Sequence, residues 1–150
     1  DKNIKLQLSD SSWLAKLTAD AMKKSKRSGV IILMGSIYGH FAQDLNIYKG
    51  IKDMRENMPY TIIKSGISGL TKQMASYYGK YNIRCNTFSP SGVATKKLSQ
   101  KFIKRYAARN AFGRMAKVGD YEGAIIFLCS DASSYMTGAN LIVDGGWTSR

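Results

Sequence analysis

At 150 residues the chain has room for one domain with a real hydrophobic core. With 44% hydrophobic residues it is neither disordered nor fibrous, and no apolar run approaches the roughly 18 residues of a membrane span. Its formal charge of +13 draws phosphates, on nucleic acid or on small anionic ligands.

The first residue is Asp1 rather than Met, which leads us to expect a fragment or a processed chain. Ser9, Asp10, Ser11 and Ser12 can cap a helix running to about Lys24, with Trp13, Leu14, Leu17 and Ala21 as its buried stripe. Ser28 and Gly29 break it. Residues 30–34 are continuously apolar and read as a strand covered on both faces, ending at Gly35 and Ser36. Residues 37–59 read as a long loop with room for a short helix. From Tyr60 to about Lys80, Ile63, Ile67, Leu70, Met74 and Tyr77 recur every three or four residues, which predicts a helix; Pro59 suits its first turn. Residues 83–88 form the next strand, ended by Ser89, Pro90, Ser91 and Gly92. A basic helical region spans about 96–108, a further helix 121–129, and a last strand 140–143 ends at Asp144, Gly145 and Gly146. There are no repeats and no low-complexity tract.

The order α-β-α-β-α-β argues for parallel strands with helices on both faces, in a single unit over 1–150. In such sheets ligands bind beyond the carboxyl ends of the strands. Ser36, the start of the Tyr60 helix and the residues from Pro90 to Thr95 all fall there.

Cys85 and Cys129 lie in apolar segments and read as buried, reduced thiols, in keeping with a cytoplasmic location. His40 is the only histidine, so no metal site is expected; it reads as a loop residue. Asn86 reads as structural, satisfying backbone after its strand. Gly145 and Gly146 read as a tight turn rather than a phosphate cradle, because no helix start follows them. Basic residues gather at 23–27 and again at Lys96, Lys97, Lys101, Lys104, Arg105 and Arg109; solvated helix faces explain them. A nucleic-acid-binding module is the alternative, but no stacking-aromatic motif supports it.

Tyr60 and Lys64 are the pair that points to chemistry. One helical turn puts them on the same face. An ammonium beside a phenol favours the phenolate and lowers a pKa that otherwise sits near about 10, so that such a tyrosine can exchange a proton with an alcohol. In a chain with nine tyrosines about one Tyr-x-x-x-Lys match arises by chance, and Tyr48 with Lys52 is a second. Tyr48 sits in a polar stretch with Gly50, a poor helix, whereas Tyr60 opens a strongly periodic one.

With these residues in place the chain resembles the carboxyl-terminal half of a short-chain dehydrogenase/reductase over nearly all its length. Residues 30–36, then Ile37, Tyr38 and Gly39, resemble the strand that ends in the family's catalytic serine and a glycine. Residues 60–66 resemble its Tyr-x-x-x-Lys-(Ala/Ser)-Gly. Residues 83–86 followed by Ser89 and Pro90 resemble its Ile-Arg-Val-Asn-x-x-x-Pro-Gly. Residues 130–138 and 143–146 resemble its carboxyl-terminal signature. The resemblance implies half of a Rossmann-type doubly wound parallel sheet in a three-layer α/β/α arrangement. It implies an NAD- or NADP-dependent oxidoreductase acting on a small polar or sugar-like molecule. Tyr60 would be the general acid/base. Lys64 would favour its phenolate and hold the nicotinamide ribose, and Ser36 would bind the substrate oxygen. Pro90, Ser91, Gly92, Val93 and Thr95 would hold the nicotinamide. The long insertion and the Gly146-Trp147 ending look most like the reductases of flagellin-modification and related sugar pathways.

Four departures stand out. The family's catalytic asparagine falls near Gln7 or Leu8, where there is none. Ser91 replaces a glycine, which is expected to alter the backbone path. Ser36 and Tyr60 stand 24 residues apart, a longer gap than is usual, and the insertion, roughly 48–59, is expected to form part of the substrate rim. The Gly-rich phosphate turn and the ribose-binding acidic residue are absent. The chain is therefore expected to need its missing half, or another chain, and to form homo-oligomers. An assembly fragment without catalysis is the remaining alternative.

Overall fold

The computed structural model describes residues 2–52 and 57–149. Three parallel strands, β1 (Gly29–Met34), β2 (Ile83–Pro90) and β3 (Asn140–Val143), lie in the order β1-β2-β3. Gly29 stands opposite Ile83 and Met34 opposite Phe88; on the other side of β2, Thr87 stands opposite Asn140 and Pro90 opposite Val143. Parallel neighbours need crossovers, and helices supply them. α4 (Met58–Tyr78) joins β1 to β2; α5 (Gln100–Arg109) and α6 (Glu122–Cys129) lie between β2 and β3. α2 (Ser11–Lys24) leads into β1, and the short α3 (Leu45–Tyr48) sits in the long loop after it. The parallel α/β architecture read from the sequence is the one observed.

Successive side chains of β2 face opposite sides. Ile83 and Cys85 join Ile31 and Leu33 of β1, Ile63, Ile67, Met74 and Tyr78 of α4, and Ala15 and Ala19 of α2 in one core. Thr71 and Thr87 hydroxyls share a buried 2.7 Å hydrogen bond within it. On the opposite face Arg84 donates to the carbonyl oxygens of Leu128 and Ser130, and Phe88 meets Tyr121 edge-on. Asn86 is fully buried, donating to Met136 O and accepting from Ala139 N, as its structural reading requires.

α4 forms where its sequence permits. The Asn57 side chain accepts the Tyr60 N–H, Pro59 occupies the first turn, and the apolar spacing carries Ile63, Ile67 and Met74 inward. At roughly 1.5–3 kcal/mol per large buried side chain, these three dominate how the helix is held. Gly145 and Gly146 adopt φ of 63° and 80°, the left-handed turn expected of them.

Three expectations fail. Residues 9–12 do not cap a helix, because the chain is already helical through α1 (Lys2–Ile4) and a wide π-helical stretch, Lys5–Asp10. The Ser11 and Ser12 hydroxyls donate back to Leu6 O and Leu8 O instead of capping. Trp13, Leu14 and Leu17 are not buried; each is 60% exposed or more, and Ala21 is exposed too. α2 turns its small residues Ala15 and Ala19 inward, because only they allow it to approach the sheet closely. Cys85 is buried but Cys129 is exposed, since α6 commits only Leu128 to the core. The insertion falls partly outside the described residues, which omit 53–56.

Candidate active site

Ser36 follows β1 directly. A Cβ on the preceding Gly35 would come within 2.5 Å of Thr87 Cγ2, so a glycine there lets the strand end lie close against β2. Ser36 is buried, and its Oγ accepts the Tyr38 N–H at 3.2 Å. That bond leaves the hydroxyl proton free. Gly39 brings the same loop against α4: a Cβ there would come within 2.8 Å of the Lys64 backbone.

Lys64 Nζ donates to Met34 O at 2.9 Å and stands 5.5 Å from the centre of the Tyr60 ring. Its side chain is half-buried, and this burial lowers its pKa. Among the described residues it makes that one hydrogen bond, so two N–H donors stay available.

Ser36, Tyr60, Pro90, Ser91 and Gly92 line one cleft of about 330 Å³ at the carboxyl ends of β1 and β2. Lys64 lies beside this cleft rather than in its lining; it borders a neighbouring cavity that also holds Gln7. Val93 bridges to Ala116, and Thr95 is exposed. Neither lines the cleft. The structure thus brings together five of the eight residues singled out in the sequence, with a sixth stacked on the Tyr60 ring.

Ser91 has no positive φ; Lys26 and Asn82 are the non-glycine residues that do among those described. The backbone path here therefore accommodates a side chain. The Ser91 hydroxyl lies 3.2 Å from the Tyr121 hydroxyl, which donates to Ser91 O. At Gly92 a Cβ would come within 2.9 Å of Met115 Cε and 3.0 Å of Tyr106 Cζ. His40 is a loop residue as expected, bonded to Ser68 and Asn140 and outside the cleft.

Tyr48 and Asn57 also line the cleft, from the insertion expected to form part of the substrate rim; the sequence reading missed Tyr38, Gln43, Phe102 and Tyr106. Tyr48 is the tyrosine of the discounted second match. Phe102 and Tyr106 are four residues apart on α5, and that spacing was the available signal. α5 turns them inward and Lys101 and Lys104 outward. Arg105 donates to Ile47 O and Lys49 O, and Arg109 stacks on Trp147 and pairs with Asp44, so two of the basic cluster are structural. Among the described residues no charged side chain lines the cleft. Burial holds the Tyr38, Tyr48 and Tyr106 phenols above the ordinary tyrosine range. Among the described residues no group of acidic, histidine or cysteine side chains could hold a metal ion, and no helix is long and apolar enough to cross a membrane.

A family model described as enoyl-(acyl carrier protein) reductase matches residues 4–148. The NADH-dependent L-xylulose reductase of Ambrosiozyma monospora is 31% identical across 99% of this chain and 54% of its own length. Post-translational flagellin modification protein A of Campylobacter coli is 34% identical across 83% of this chain and 48% of its own. A short-chain dehydrogenase from Leptospira borgpetersenii, solved with bound NAD+, superposes with a TM-score of 0.89 at 34% identity, covering 97% of this chain and 54% of that one. Between them the matched proteins use or bind NADH, NAD+ or NADP. The chain spans about half the length of the relatives it matches.

Proposed function

This chain belongs to the short-chain dehydrogenase/reductase family, and we propose that it is the catalytic portion of an NAD- or NADP-dependent oxidoreductase that interconverts an alcohol and a ketone on a small, polyhydroxylated molecule. The observation that carries this reading is one cleft that holds Ser36 and Tyr60, with the Lys64 ammonium set against the Tyr60 ring.

The residues present fit the nicotinamide half of the cofactor. Lys64 has two free N–H donors for the ribose hydroxyls, and Pro90, Ser91 and Gly92 offer a backbone wall for the ring, continued by Val93 and Thr95. A bound nicotinamide would supply the hydride acceptor for the carbinol carbon, or the hydride donor for a carbonyl carbon. Tyr60 takes the hydroxyl proton as the hydride leaves, so that the alcohol becomes a ketone; it returns the proton in the reverse direction. Ser36 donates its free hydroxyl proton to the substrate oxygen, because its lone pair already holds the Tyr38 N–H. Among the described residues the wall is uncharged and rich in hydroxyl and amide groups, which suits a substrate that is itself hydroxylated.

The other half of the cofactor needs residues that this chain lacks, so a preceding segment or another chain completes the enzyme. Supporting this, β1 pairs only with β2 among the described strands, and Met34, Trp13, Leu14 and Leu17 expose apolar surface. The same surface supports a homo-oligomer. The two free thiols, Cys85 and Cys129, suit a cytoplasmic setting.

The test is hydride transfer followed by NADH absorbance in the full-length protein. Tyr60→Phe should lower kcat by about 10²–10⁴-fold, the usual weight of general acid/base catalysis. Undiminished turnover in that variant would sink the reading.

A further inference from the structure

Tyr48, passed over in the sequence, faces the same cleft as Ser36 and Tyr60. Its hydroxyl donates to the Tyr38 hydroxyl at 3.1 Å, so its own proton is spent and its oxygen presents lone pairs. Gln43 stands beside it on the cleft wall. The Gln43 Oε1 accepts the Asn57 N–H at 3.1 Å, which fixes the amide and leaves its NH2 as the donor group. Asn57 in turn caps the helix that carries Tyr60.

The position is held firmly. The Tyr48 ring packs on Phe102 with centroids 5.7 Å apart, and Arg105 donates at 2.6 Å to the carbonyl of Lys49, the residue that follows α3. Tyr38 and Tyr106 continue the polar line behind Tyr48, and the Tyr106 oxygen accepts the Gly92 N–H at 2.8 Å. One connected wall thus runs from the start of α4 to the loop after β2.

The chemistry of the wall sets what it can hold. Burial keeps the Tyr48 phenol neutral. An acceptor oxygen next to an amide donor matches a hydroxyl, which donates to one and accepts from the other. A carboxylate placed there would gain one donor and meet the lone pairs of Tyr48.

We propose that Tyr48, together with Gln43, is a specificity-determining residue that binds a second hydroxyl of the substrate while Ser36 and Tyr60 engage the reacting one, so that the enzyme selects diols over simple alcohols. This rests on the oxidoreductase reading above.

The full-length protein tests it with pentane-2,3-diol and pentane-2,4-diol against pentan-2-ol. Tyr48→Phe keeps the ring and removes the hydroxyl. The ratio of kcat/KM for at least one diol to that for pentan-2-ol should fall about tenfold, near the upper weight of one neutral hydrogen bond. Gln43→Leu should move the ratio in the same direction, and it carries the test if Tyr48→Phe does not fold. An unchanged ratio in the folded variants overturns the assignment. If the wild-type protein oxidises none of the three alcohols, the oxidoreductase reading fails separately. The assignment is then decided by NMR of labelled tyrosine rings. Diols that shift the Tyr48 ring signal more than pentan-2-ol does would uphold it, and equal or absent shifts would overturn it.

Discussion

The Lys64 ammonium donates to the carbonyl oxygen of Met34, the last residue of β1, at 2.9 Å. One side chain therefore ties the helix that carries Tyr60 to the strand that delivers Ser36. Burial lowers the Lys64 pKa, so its charged form is less comfortable folded than unfolded. Between the lowered folded value and the ordinary 10.5 the unfolded chain binds more protons, and stability rises with pH. Melting temperatures across that alkaline window should show wild type gaining on Lys64→Met as pH climbs. Parallel curves would contradict this.

Ser36 serves the backbone as well as the cleft. Ser36→Ala removes the acceptor of the Tyr38 N–H, a buried bond. Urea unfolding should show a loss of about 1 kcal/mol, the usual cost of such a cap. In the full-length protein kcat should fall by about 10²-fold or more, the weight of one donor to a reacting oxygen. Stability and kcat thus fall together here, while Tyr60→Phe should leave stability nearly alone.

Two glycines should answer oppositely to the same change. A Cβ at Gly39 would come within 2.8 Å of the Lys64 backbone, and backbone cannot swing aside. Gly39→Ala should destabilise by about 1–3 kcal/mol. Gly69 lies in α4 with nothing within 4 Å of its would-be Cβ. Gly69→Ala should stabilise by about 0.5–1 kcal/mol. Paired denaturation curves check both signs.

Arg114 pairs with Asp120 at 2.6 Å, and Asp120 also accepts the Lys117 N–H at 2.7 Å. Arg114, then that N–H, hold the Asp120 carboxyl down to about 2 from an ordinary 3.8. Its contribution is present above 3.8 and is lost as pH falls through about 2. Asp120→Asn should therefore show a shallower loss of melting temperature across that acid window than wild type.

The exposed Trp13 and Leu17 offer a fifth handle. If they meet another chain, Trp13→Glu with Leu17→Lys should lower the sedimentation coefficient of the full-length protein. An unchanged coefficient would place the oligomer contact elsewhere.

The periodic and β-rich segments were readable because their patterns answer to one core. Ile63, Ile67 and Met74 follow the helical period, and residues 30–34 are continuously apolar. The π-helical turn at Lys5–Asp10 and the outward face of α2 were not readable. There, small residues against the sheet outrank bulky ones, a choice that periodicity alone cannot make. Ser36 and Tyr60 were legible because each sits at the end or start of a strongly patterned element. Tyr48 was legible only as the edge of an insertion at the rim, since its particular place depends on Arg105, fifty-seven positions later, holding the carbonyls around it. Loop segments of this kind take their shape from distant partners.

The central place of β2 also dictates when this molecule can become itself. Its partners, Gly29 on one side and Asn140 on the other, each lie more than fifty residues away along the chain. Every strand pairing must close a long loop before any reward arrives, which makes folding slow compared with a helical bundle of this size. During synthesis β1 and β2 can meet early, but the Asn140 side of β2 stays open until β3 has emerged. Until then Asn86 lacks its Ala139 partner, and the nascent chain is at its most vulnerable to wrong pairing.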